Sequence, residues 1–133
     1  MTDNKLPLEL AEQEFERLCD KYSVDTDMTG ESQDTVDGFN DIKRKIVKAF
    51  MKGSLVIADS GFPAYTTTAG KRLEFKEVTG ATLMSMDRIK DGENTKKMFT
   101  VISELTGGGV APASLSMPDV KVLIALVSLF LSM

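Results

Sequence analysis

Residues 117–133, MPDVKVLIALVSLFLSM, carry one acid and one base in an otherwise almost unbroken apolar run, and they constrain the fold more than any other segment. At helical spacing Val120, Leu123, Ile124, Val127 and Leu131 make one apolar face, and Val122, Leu126, Leu129, Phe130 and Met133 make a second. A helix that is apolar all round has to be covered on both sides. The uncharged run from Val122 to Met133 is about 12 residues, against roughly 20 needed to cross a bilayer, so the covering is expected to be protein and not lipid. A chain of 133 residues that is 42% hydrophobic can build one modest core. One face of the helix then meets that core, and the second needs either the N-terminal helices or another protein chain. Leu126, Leu129, Phe130 and Met133 are therefore the candidate protein-binding residues, with a central core helix as the competing reading.

The rest of the chain supplies a small α+β frame. Leu8, Ala11, Phe15, Leu18, Cys19 and Tyr22 fall on one face of a helix over Pro7 to Tyr22, with Glu12, Glu16 and Asp20 on another. Ser23 to Gln33 is polar and aperiodic, which predicts a mobile loop. Asp34 can cap a second helix whose stripe is Val36, Phe39, Ile42, Ile46 and Phe50 and which Gly53 ends. Ser54 to Ala58, Ala64 to Thr68 and Arg72 to Lys76 are short strand candidates, the last two a hairpin about Ala69-Gly70-Lys71 with Leu73 and Phe75 facing inward. Leu83 to Ile89 fits a short helix closed by Asp91-Gly92. Asn94 can cap the next, in which Met98, Val101, Ile102 and Leu105 repeat at i, i+3, i+4 and i+7 before Gly107 to Gly109. Ser116 and Asp119 have capping-box spacing at the start of the last helix. The expected fold is thus α+β: a three-stranded antiparallel sheet covered by C-terminal helices over 54–133, with an N-terminal pair of amphipathic helices and an acidic loop over 1–53, in one compact domain.

The side chains that most catalysis requires are scarce. There is no histidine, which removes Ser-His and Cys-His pairs, and the single Cys19 sits at a core position of an acidic helix, where an inert thiol is expected. One cysteine cannot form an internal disulfide. Asp25-Thr26-Asp27-Met28-Thr29-Gly30-Glu31 resembles the start of a calcium loop, but its twelfth position, where a bidentate glutamate belongs, is Val36. Gly70-Lys71 lacks the earlier glycine and the following Ser or Thr of a phosphate loop, and Gly107-Gly108-Gly109 follows a helix when a phosphate cradle would precede one. We expect no catalytic residue, no metal site and no cofactor. Net charge is −4 but uneven: residues 1–41 hold 12 acids and 3 bases, whereas residues 42–53 hold Lys43, Arg44, Lys45, Lys48 and Lys52 and no acid. A basic cluster so narrow, beside an acidic segment, is a poor footprint for nucleic acid. The N-terminal sequence lacks the order of a secretory signal, so a cytoplasmic protein that binds other proteins is expected, a homo-oligomer among the options.

From Leu55 to Met133 the order of features also resembles a known family. A short strand, a hairpin ending in GKRLEFKEVTGATL, a helix TKKMFTVISELTGG and the segment ASLSMPDVKVLIALVSLFL resemble the tail assembly chaperones of Mu-like and related contractile-tailed phages. The resemblance implies a chaperone or adaptor that binds apolar helical segments of a tape-measure protein, recruits tail-tube subunits and leaves before the particle is complete. The alternative is a structural subunit of a phage tail or particle, with the C-terminal helix as a permanent interface.

Overall fold

A computed structural model describes residues 6–87, 94–107 and 115–131 of the chain. The chain runs α1 (Leu8–Lys21), α2 (Gln33–Lys52), β1 (Leu55–Ile57), β2 (Pro63–Thr66), β3 (Arg72–Glu74), α3 (Gly80–Asp87), α4 (Asn94–Leu105) and α5 (Met117–Phe130). The strands form one antiparallel sheet in the order β1-β2-β3, so the α+β architecture is as expected.

α1 forms because Ala11, Phe15, Leu18 and Cys19 make an apolar stripe at helical spacing, and all four are buried. Its end uses a non-glycine residue in the left-handed region. Ser23 has φ 57°, its N–H donates to the Asp20 carbonyl at 3.2 Å, and the Val24 N–H donates to the Cys19 carbonyl at 2.8 Å, which closes a Schellman motif. α2 starts two residues earlier than a cap at Asp34 would place it. Its N-cap is Ser32, whose Oγ accepts from the Thr35 N–H at 3.2 Å, and Asp34 instead lies in the first turn, where it favours the helix dipole. Gly53, at φ 81°, ends the helix in a conformation that suits glycine.

The sheet turns one row inward: Leu55, Tyr65 and Leu73 are register partners, and all three are buried. In the neighbouring row Val56 and Glu74, on the two edge strands, are exposed, whereas Ala64 on the central strand is buried, so the outer side is wet at its edges. Phe75 continues the inward alternation beyond β3. The Lys76 N–H then donates to the Leu105 carbonyl at 2.9 Å, tying the hairpin to the end of α4. On α4 Val101, Ile102 and Leu105 are buried and Met98 half-buried, as the spacing requires. The turn at Asp91-Gly92 and the glycines 108 and 109 lie outside the described residues.

One apolar cluster joins α1, α2, the sheet, α4 and α5. Residues 6–53 therefore share their core with the sheet and the C-terminal helices. No helix among the described residues is long and apolar enough to cross a membrane.

Candidate functional site

The residues assigned to a partner surface lie inside the molecule. Leu126 and Leu129 are fully buried and Phe130 is 2% exposed; Met133 lies outside the described residues. The reason is the N-terminal pair. α2 packs along α5, and Tyr22, at the end of α1, stacks on Phe130 with ring centroids 3.8 Å apart, while Phe75 meets the same ring edge-on at 5.8 Å. The Tyr22 hydroxyl donates to the Lys76 carbonyl at 2.9 Å, and burial, followed by the nearby Glu77 charge, raises its pKa. Leu126, Leu129 and Phe130 are thus covered within the chain, and the expectation that they form an exposed anchor surface is corrected.

At the other end of α5 the sequence concealed a buried acid. Asp119 is 1% exposed, yet both carboxylate oxygens are fully engaged. One accepts from the Tyr65 hydroxyl at 2.6 Å. The other accepts from the Thr68 hydroxyl at 3.0 Å and the Ser116 hydroxyl at 2.9 Å, and the Thr68 N–H lies 3.1 and 3.2 Å from the two. Burial opposes the charge, but these hydrogen bonds outweigh it and hold the carboxyl below the usual carboxylate range. Burial and the Asp119 bond push the Tyr65 phenol above its ordinary value. The capping-box spacing of Ser116 and Asp119 is real, but no side-chain cap bond forms: Ser116 donates to Asp119, and Asp119 faces the β2–β3 hairpin. This arrangement locks α5 to the sheet. No buried side-chain polar atom among the described residues lacks a partner, so no orphaned group marks a reactive centre there.

Cys19, a lone thiol 1% exposed, has its pKa raised to about 11 by burial first and by the Asp20 and Glu16 charges after it. In the acidic loop, Asp25 accepts from the Asp27 N–H and Asp27 from the Thr29 N–H, each at 2.9 Å, so both carboxylates are turned back on the chain as successive Asx turns. Among the described residues no group of acids, histidines or cysteines is placed to hold a metal ion.

Among the described residues three clefts are lined by α2, one of them, about 530 Å³, between the acidic end of α1 and the start of α2. Another, about 410 Å³, lies between α2, α5 and the acidic loop, with Met28, Phe39, Ile42 and Leu129 below and Asp25 and Glu31 at its mouth. The third, about 290 Å³, runs along the seam of α1 and α2. Val47 and Met51 form its floor, Leu8 and Glu12 form the α1 wall, and Lys43, Arg44 and Lys48 form the α2 rim. Leu8 is 51% exposed there, one of few large apolar side chains on the described surface. The Leu6 N–H donates to the Met51 carbonyl at 3.0 Å and fixes the end of the seam. The basic cluster seen in the sequence is therefore the edge of an apolar groove. Sequence periodicity carried the signal, since Lys43, Val47 and Met51 recur at four-residue steps beside Arg44 and Lys48, but it could not show that Leu8 and Glu12 of α1 stand opposite them.

Set against known proteins, the chain matches no family model, no curated protein and no solved structure.

Proposed function

We propose that the chain is a protein-binding assembly adaptor, which takes up an apolar helical segment of a partner and performs no chemistry of its own. One observation carries the reading: the α1–α2 seam is a groove with an apolar lining and the half-exposed Leu8 on its wall, built partly from the helix that also packs along α5. The sequence resemblance to phage tail assembly chaperones supplies the class of partner, helical segments of a tape-measure protein, with tail-tube subunits as the proteins recruited. A permanent structural subunit with α5 as its interface is the alternative; the burial of Leu126, Leu129 and Phe130 within the chain favours the groove over that helix as the binding surface.

The reading is tested by titrating the purified chain with synthetic amphipathic helices, tape-measure segments among them. Saturable binding that is weakened by Leu8→Glu at the groove, with the melting temperature unchanged, supports it. Absence of binding by every peptide at about 1 mM, weaker than about −4 kcal/mol, would remove it.

A further inference from the structure

We infer that the occupant of the α1–α2 groove is an acidic amphipathic helix of a different protein chain, its carboxylates lying on the α2 side. This rests on the adaptor reading above and adds the charge and orientation of the partner.

The groove has the shape for a helix. Its α2 lining runs from Asn40 to Met51, about three turns or roughly 17 Å, enough for apolar side chains at i, i+4 and i+7 of a bound helix. Its α2 rim has one sign of charge, with Lys43, Arg44 and Lys48 in the lining and Lys52 one turn beyond it. Arg44, Lys48 and Lys52 follow one another at four-residue steps along α2, and all three are exposed. Arg44 and Lys45 share Asp41, whereas Lys48 and Lys52 have no ion-pair partner among the described residues. The opposite wall carries Glu12. A bound helix with acids on both flanks would set one row against Glu12, so the acids belong on the α2 side and neutral residues on the other.

Rival occupants fit less well. A nucleic-acid backbone has no side chains to fill a floor of Val47 and Met51, and the Glu9, Glu12 and Glu16 of α1 would repel it. A second copy could offer its acidic α1, but the apolar stripe of that helix, Ala11, Phe15 and Leu18, already faces its own core.

The experiment uses the full chain and three labelled 15-residue helical peptides: apolar residues flanked by Glu, the same with Lys for Glu, and the Glu peptide with its apolar residues replaced by Gln. Fluorescence anisotropy at 50 and 300 mM salt gives the affinities. The Glu peptide is expected to bind at least about tenfold more tightly than the Lys peptide at 50 mM salt, with a smaller ratio at 300 mM, and the Gln-substituted peptide is expected to bind weakly at both. Lys48→Glu with Lys52→Glu, exposed positions that leave the melting temperature in place, should reverse the preference. Peptide charge reversal leaves the protein untouched, so the result stands even if that variant folds poorly. Equal binding of the Glu and Lys peptides overturns this inference and leaves the adaptor reading intact; binding of neither removes both. Tighter binding to a duplex oligonucleotide or to anionic phosphatidylserine vesicles than to the Glu peptide overturns it in favour of a polyanion. Self-association that the Glu peptide blocks overturns it in favour of a second copy.

Discussion

Replacing Asp119 with alanine should be among the most damaging single substitutions in the chain. It removes the acceptor for the Tyr65 hydroxyl, the Thr68 N–H and hydroxyl, and the Ser116 hydroxyl, and leaves Tyr65 buried at 4% exposure without a partner. A hydrogen bond to a charged group contributes about 1.5–3 kcal/mol, and a stranded buried donor costs about 1–3 kcal/mol. These terms overlap, and Thr68 and Ser116 lie near enough to the surface to recruit water, so the expected loss is about 3–5 kcal/mol, a large share of the roughly 5–15 kcal/mol that holds a domain together. At this chain length that corresponds to about 10–20 °C in melting temperature. Asp119→Asn keeps one acceptor and the shape of the side chain, and should lose about half as much. The pH dependence has a definite sign. The folded-state pKa of Asp119 is depressed, so its contribution is present above the unfolded carboxylate value near 4 and disappears as pH falls toward the folded value. The folded-state pKa of Tyr65 is raised, so its contribution holds below about pH 10 and fades as pH climbs past that. Thermal melts from pH 2 to 7 should show a steeper acid limb for the native chain than for Asp119→Asn. A melting temperature for Asp119→Ala within about 2 °C of the native value, or parallel acid limbs, would refute the account of Asp119 as the lock between α5 and the sheet.

Leu126→Asp combined with Phe130→Asp places two charges where side chains are 0 and 2% exposed, and should abolish the cooperative melt seen by circular dichroism; a folded, soluble double variant would restore the partner-surface reading. Ser23→Gly relieves a left-handed residue at φ 57° and should raise stability by about 0.5–1 kcal/mol, or about 2–4 °C, whereas a loss of stability would mean that the Ser23 side chain contributes more than its backbone strain costs. Cys19, with its thiol pKa raised to about 11 and its side chain enclosed, should react with an aromatic disulfide reagent at pH 8 only at the rate of global opening, so rapid labelling in native buffer would contradict its burial.

Much of the fold was legible because the period of the apolar residues switches cleanly. The stripe Ala11, Phe15, Leu18 and Cys19 and the series Val101, Ile102 and Leu105 could only be helical, and Leu73 and Phe75 between Arg72, Glu74 and Lys76 could only be a strand wet on one side. What stayed hidden depends on distance along the chain. Ser116 and Asp119 have the spacing of a local cap, and nothing in that spacing reveals that Asp119 would accept from Tyr65, 54 residues earlier. Ser23 in a left-handed cap escapes composition rules that look for glycine there.

The misplacement of the binding surface has a physical cause that points to where such a surface belongs. An all-apolar helix must be covered, but its sequence does not say by what, and α5 could be closed by the acidic N-terminal pair because that pair turns its own apolar stripe inward. The inward side of α2 carries the buried Ile46, Ala49 and Phe50. α2 is long enough, at 20 residues, to carry a second row, and among the described residues a groove remains beside Val47 and Met51 in the seam with the 14-residue α1. The inward side of the N-terminal pair thus stabilises the fold while the seam faces solvent with a basic edge. Substitutions at Arg44, Lys48, Lys52 or Leu8 can then alter binding without loosening the core, whereas at Leu126, Leu129 and Phe130 any effect on binding would be inseparable from unfolding.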